Sequence, residues 1–292
     1  MNTSAPVFYH SSDEEFLTTI YVLVDTILTF LNGKRLNSER TAGRKPTLTE
    51  SELITLAIFR FHLGFLDLKH TYRFYNQYLK KLFPDLPRYQ NFVAGINRVS
   101  SLAAQTLKIL MKVLGRASSG LKIIDSLPLP VCDSRRSATH RVMRTLSSVS
   151  RSSRGWWCGL KLHGVVDELG NLLNVRITTA AVDDRFPVKN LTKNLTGRFV
   201  ADAGYLSEEL IRILRGMGKI LLTGVRKNMK KILTEKDHKT LKKRQYIESV
   251  FAVLTERLKI RTSLPRSING MLSHYIYTLT AYQIFKLLSV IS

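Results

Sequence analysis

Apolar residues recur at helical spacing over most of the first 118 positions. Between Asp13 and Leu31 they fall at Phe16, Ile20, Leu23, Val24, Ile27, Leu28 and Leu31, one face of a 3.6-residue period. Asn32-Gly33-Lys34-Arg35 breaks that pattern, and Gly43-Arg44-Lys45-Pro46 opens a basic loop. Thr49-Glu50-Ser51-Glu52 then offers an N-cap with an acidic first turn, ahead of Leu53, Ile54, Leu56, Ala57, Ile58 and Phe61. Two more helices are predicted, an aromatic-rich one from about Leu68 to Leu82 and another from about Tyr89 to Leu114.

Beyond Gly120 the period shortens. Leu121-Lys122-Ile123-Ile124-Asp125-Ser126 is an apolar run ending in a carboxylate, expected to stop at Pro128 and Pro130. Asp133 to Arg154 is rich in Ser and Arg with few apolar anchors, and reads as a mobile basic loop. Trp157 to Val166 alternates as a strand, turns at Glu168-Leu169-Gly170-Asn171 and returns through Leu172–Ala180, a hairpin. Phe199-Val200-Ala201-Asp202 is a second short strand ending in a carboxylate. A helix follows from Ser207 through Leu214, then a strand over Lys219–Val225 and a strongly basic stretch to Arg244. Tyr246–Leu258 is predicted helical, with Ile247, Val250, Phe251 and Leu254 on one face, and a last helix runs from about Ile268 to Leu288. These patterns divide the chain into a helical segment, 1–118, and an α/β segment, 119–292.

Charge changes the picture. Lys and Arg number 45 against 22 acidic residues, a formal net charge of +23 on 292 residues. Such an excess destabilises the compact state by self-repulsion and suits a polyanionic partner whose counterions it releases. Nucleic acid is the expected partner; a membrane surface or a ribosomal-type RNA are the blander choices. Several short helices with basic loops make residues 1–118 a candidate helix-turn-helix-like DNA-binding module, although any small helical bundle has the same pattern. Only Cys132 and Cys158 occur, without a C-x-x-C pair, so zinc fingers are excluded and two reduced core cysteines are expected. No apolar run of membrane-spanning length and no signal-peptide layout appears, so the chain reads as cytoplasmic.

The order strand, hairpin, strand, helix, strand, strand, helix is that expected of a ribonuclease-H-like α/β domain. In such a domain Asp125, Asp202 and Glu248 can meet although 77 and 46 residues separate them. Singly, an Asp closing a strand is commonly a turn or cap residue, and a Glu opening a helix complements its dipole. Clustered, three carboxylates repel one another and are best tolerated around divalent cations.

Three passages resemble the motif blocks of bacterial insertion-sequence DDE transposases, most nearly the insertion sequence 982 family. They are Ile123-Ile124-Asp125-Ser126-Leu127-Pro128-Leu129-Pro130-Val131-Cys132, Val200-Ala201-Asp202-Ala203-Gly204-Tyr205 and Arg244-Gln245-Tyr246-Ile247-Glu248-Ser249-Val250-Phe251. Gly155 to His163 resembles the family's intervening strand, and Val182-Asp183-Asp184 the stretch after the hairpin. The resemblance spans roughly residues 120–260. It implies a ribonuclease-H-like catalytic domain in which Asp125, Asp202 and Glu248 hold two Mg²⁺ or Mn²⁺ ions. It also implies cleavage at the element's ends, joining of the 3′-hydroxyls to target DNA, and a homo-oligomer that pairs two ends. There are departures: related enzymes carry a Tyr and a Lys at fixed offsets around the Glu, where this chain has Leu241 and Thr255. Arg257 and Lys259 are candidates to replace the missing Lys against DNA phosphate.

Further DNA-contact candidates are Arg244, four residues before Glu248, and Lys161 and His163, which alternate onto one strand face. Lys230, Lys231, Lys242 and Lys243 belong to a run of nine basic residues between Arg226 and Arg244. Asp184 reads either as a fourth carboxylate of the site or as a helix cap. Tyr205 reads as site support or as packing. Two rivals stand beside a transposase: a nuclease of the same fold that does not join, and a basic DNA-binding protein, such as a decayed transposase, whose carboxylates are structural.

Overall fold

The computed structural model describes residues 11–33, 46–118, 120–152, 155–224 and 234–288. Lys230, Lys231 and the basic residues Arg226 and Lys227 lie outside them. Two compact units emerge: residues up to Ile109 together with those from Asn269 onward, and Leu110–Ile268.

The first unit is helical throughout its described residues. The predicted helices appear as α1 (Ser11–Gly33), α2 (Glu50–His62), α3 (Leu68–Tyr78), most of α4 (Tyr89–Ala117) and the last helix, α9 (Ile268–Leu287). Thr49 caps α2 in a full capping box: its hydroxyl accepts from the Glu52 N–H while the Glu52 carboxylate accepts from the Thr49 N–H. α1 is apolar and long enough to cross a membrane by composition alone. Here it buries Leu17, Ile20, Val24 and Leu28, and Asp25 accepts a 2.6 Å hydrogen bond from Ser51 of α2. α9 was expected with the α/β segment. It belongs instead with the helices, because the Tyr277 hydroxyl donates to the Ile96 carbonyl at 2.7 Å and Arg60 reaches His274 Nδ1 at 3.2 Å.

The second unit is mixed α/β. β1 (Lys122–Asp133) pairs antiparallel with β3 (Gly155–Asp167), whose far edge takes β2 (Ser148–Ser152) along one stretch and β4 (Leu172–Thr179) along another. On the other side β5 (Gly197–Ala201) runs parallel to β1, and β6 (Lys219–Thr223) parallel to β5. The hairpin turns as predicted: Asp167 Oδ1 accepts from the Leu169 and Asn171 N–H groups, and Gly170 takes a φ of 81°. One sheet face is covered by α5 (Val188–Thr192) and α6 (Glu208–Gly216), through a core that includes Ile124, Val165, Leu191, Phe199, Ala201 and Leu214. The other receives α8 (Gln245–Ala252), which follows α7 (Glu235–Lys242) and continues into a π-helical turn, Val253–Arg257. Gly164 makes room there: a Cβ on it would meet the Phe251 ring at 3.5 Å and Ile247 at 3.9 Å.

Two expectations give way here. β1 runs through Pro128 and Pro130 instead of stopping. Its pairing with β5 ends at Ile123, so beyond that point one edge carries no strand among the described residues. The Pro128 carbonyl faces that edge and accepts from Arg261 Nε at 2.9 Å. In an antiparallel ladder a residue's N and C=O point the same way, so the missing N–H costs no ladder bond, nor does that of Pro130 two residues on. The expected loop between Asp133 and Arg154 contains β2. Ser148-Val149-Ser150-Arg151-Ser152 has one apolar residue and shows no alternation to read, yet pairs in register with β3. Both cysteines are free, and Cys132 lies opposite Cys158 across the β1–β3 ladder.

Candidate active site

The sheet register brings the first two carboxylates together. Ile123 pairs with Val200, and carrying that parallel register two residues further sets Asp202 beside Asp125. Ile124 and Ala201 both turn into the core beneath α5 and α6. Asp125 therefore turns to the opposite face, as does its cross-strand partner Gly164, against which α8 packs. Ile247 and Phe251 seat α8 on that face, and Glu248 comes with them.

Arg244, one turn before Glu248, lies among all three. Its guanidinium is 3.0 Å from Asp202 Oδ1, 3.7 Å from Asp125 Oδ2 and 3.6 Å from Glu248 Oε1. Backbone donors assist: Asp125 Oδ1 accepts from the Ser126 N–H at 2.8 Å, and Asp202 Oδ1 from the Ala203 N–H at 2.6 Å. Asp125 is the most enclosed of the three. Burial pushes its carboxyl up to about 6, with Asp202 and Asp184 adding to the rise and the Ser126 N–H and Arg244 opposing it. Asp202 and Glu248 are more open, with side chains 52% and 61% exposed.

Three carboxylates are the hard oxygen donors that Mg²⁺ or Mn²⁺ takes, so the donor chemistry fits a divalent cation. Their present spacing is set around the guanidinium. Among the described residues no three His, Cys, Asp or Glu side chains are grouped to hold a metal ion. A cation entering the cluster would meet the positive charge of Arg244, which must then release at least one carboxylate.

Lys161 and His163 do share a strand face, but it is the face opposite Asp125. Lys161 Nζ donates to Asp184 Oδ1 at 2.9 Å and to the Val182 carbonyl at 2.8 Å. His163 is fully buried, with Nε2 2.8 Å from Thr178 Oγ1 and Nδ1 3.8 Å from Asp184. Burial pulls its imidazole down to about 4, against the pull of the Asp184 carboxylate, so it is neutral at pH 7. Asp184 thus anchors these two residues and does not cap α5, whose N-cap is Pro187. Tyr205 packs in the core; burial, with the charges of Asp125, Asp184 and Asp202, raises its phenol. Lys242 is exposed on α7, and Lys243 pairs with Glu168 of the hairpin. Arg257 and Lys259 are exposed just past α8, Lys259 with a φ of 50°. The position of Arg244 among the carboxylates is the feature that sequence reasoning missed, although its four-residue offset from Glu248 was visible.

The family description "Transposase DDE domain" matches residues 115–268, more than half of the chain and the whole of the carboxylate cluster. The chain belongs to the transposase DDE domain family. A domain of this kind implies metal-dependent polynucleotidyl transferase or endonuclease activity. No curated protein matches this transposase. A cryo-EM structure of the piggyBac transposase synaptic complex with hairpin DNA is similar at 9% identity and a TM-score of 0.48, over 94% of this chain and 73% of that one. A likeness at that level assigns no residue a role.

Proposed function

We propose that this transposase cuts DNA at the ends of an insertion sequence and joins the freed 3′-hydroxyls to target DNA, with Asp125, Asp202 and Glu248 as its catalytic carboxylates. The observation that carries the reading is the meeting of three carboxylates, far apart in sequence, within 3.7 Å of one guanidinium. The six-stranded sheet, with β1, β3 and β4 antiparallel, β2 added to β3, and β5 and β6 parallel to β1, supports a ribonuclease-H-like domain. In that reading the three carboxylates would hold two Mg²⁺ or Mn²⁺ ions, which would supply activation of the attacking oxygen and charge stabilisation of the leaving one.

The chain's own residues divide the remaining work. Asp125 and Asp202 are fixed by strand ends and backbone donors, whereas Glu248 arrives on a helix held by Ile247 and Phe251. Arg244 neutralises the cluster in the free protein and is placed to turn to a DNA phosphate once its carboxylates are engaged elsewhere. The exposed Lys242, Arg257 and Lys259, with Lys243 and the preceding Lys230 and Lys231, supply phosphate contacts. The helical N-terminal segment recognises the element's ends, a homo-oligomer pairs them, and the setting is a bacterial cytoplasm.

Joining separates this function from its rivals. A labelled fragment ending in a free 3′-hydroxyl at the element's terminus should become covalently linked to a supercoiled plasmid in Mg²⁺. Cut but unjoined products would identify a nuclease. Tight binding without any cutting would identify a DNA-binding protein with structural carboxylates.

A further inference from the structure

A groove of about 620 Å³ begins at Glu248 and runs along β1 to the β2–β3 hairpin. Its walls are mainly apolar, with Leu127, Pro128 and Pro130 along β1 and Phe251 on α8, and it ends against Trp156 and Trp157. These are the chain's only tryptophans. Trp156 is 62% exposed, unusual for the largest apolar side chain, with the Arg151 guanidinium 5.9 Å from its ring. Trp156 lies on the face of β3 that Gly164 turns to α8, whereas Trp157 alternates to the opposite face. An apolar slot walled by one exposed indole suits a flat heterocycle that can stack on it. Glu248 and Glu256 outnumber Arg261 in the lining, and Arg261 Nε already donates to the Pro128 carbonyl, so a phosphate inside it is disfavoured.

We propose that this groove takes an unpaired nucleobase of the DNA end, stacked on Trp156 beside the phosphate at the carboxylates. The choice of occupant rests on the transposase reading, because Glu248 belongs both to the carboxylate cluster and to the groove. A nucleotide next to a phosphate held at that cluster would deliver its base to the slot and leave its own phosphate outside, on the side of the exposed Arg151. Stacking on an indole accepts every base, so the groove holds a displaced nucleotide without reading its identity.

With Trp156 exposed at the groove, intrinsic fluorescence reports on it directly. The full-length protein in EDTA is titrated with a duplex carrying a three-nucleotide thymidine overhang, and with the same duplex whose overhang is abasic. The base-bearing overhang should quench tryptophan emission strongly and bind roughly ten-fold tighter than the abasic one. Trp156→Phe, at an exposed position, should remain folded by circular dichroism and lose most of the base-dependent quenching. Trp157→Phe, which leaves Trp156 as the sole tryptophan, should keep it. Equal quenching and affinity with both overhangs would overturn the proposal, as would undiminished base-dependent quenching in Trp156→Phe. Base-dependent quenching in a protein that never cuts DNA would instead sink the transposase reading and leave the groove as a base-binding site.

Discussion

Replacing Asp125 with Asn should make the metal-free protein more stable at neutral pH, although the residue is proposed to be essential. Burial raises this carboxyl from its ordinary 3.8 to about 6 in the folded chain. A carboxyl that holds its proton more tightly when folded weakens the fold wherever it must ionise. The sign therefore runs opposite to that of a salt-bridged Asp: the penalty is full above the folded pKa and vanishes as pH falls toward the unfolded one. At 1.36 kcal/mol per pKa unit the gap corresponds to about 3 kcal/mol. The attraction of Arg244, 3.7 Å away, is already part of that net rise, so a gain of up to about 3 kcal/mol is the working figure. Denaturant unfolding in EDTA at pH 7.5, 5 and 4 measures it. Asp125→Asn should unfold at higher denaturant at pH 7.5, and the difference should shrink through pH 5 and nearly close at pH 4. A variant no more stable than wild type at pH 7.5, or one whose advantage persists undiminished at pH 4, would refute the reasoning.

Other consequences follow from the same geometry. Changing Lys230, Lys231, Lys242 and Lys243 together to Gln should lower the slope of log K against log salt by roughly two to four units, since each lost phosphate contact removes about 0.9. An unchanged slope in the folded variant would put the DNA path elsewhere. Gly159→Ala should cost more than about 3 kcal/mol, because a Cβ would lie 2.2 Å from the Leu129 carbonyl oxygen and 2.9 Å from the Pro130 Cα, both backbone atoms that cannot move aside. A Gly159→Ala protein with wild-type thermal stability would contradict the close β1–β3 approach. Ca²⁺ should support DNA binding with little cutting, being larger and looser in its coordination than Mg²⁺, and gel-shift and cleavage assays run side by side would show whether it does.

Much of this fold was legible because its elements carry strong periodicity. α1, α4 and the β3–β4 hairpin show one hydrophobic face each, α2 is an apolar run buried on every side, and Thr49 and Gly170 mark boundaries by chemistry that acts locally. What escaped was set by tertiary contacts. β2 owes its existence to register with β3, since one valine among serines leaves no pattern. The prolines of β1 looked like terminators because nothing in the sequence tells that one edge of that strand is open. α9 is apolar on every side, so its sequence could not say which neighbours it would join. The three carboxylates could be named from their motif blocks, but the face each occupies depends on strand register. That register turned Lys161 and His163 away from Asp125 and toward Asp184. Arg244 among the carboxylates is a similar case: an i, i+4 offset predicts a contact with Glu248, and only the packing of α8 on the sheet brings Asp125 and Asp202 to it.

The most direct test of the central claim is the joining reaction itself, run on wild type and on Glu248→Gln with a DNA fragment ending at the element's terminus. Glu248 is exposed enough that the substitution should leave the fold and DNA binding intact, as circular dichroism and gel shift can verify. The account predicts joined product from wild type in Mg²⁺ or Mn²⁺, none in EDTA, and none from Glu248→Gln under any of these conditions. Joined product from the folded variant, or from wild type in EDTA, would contradict it.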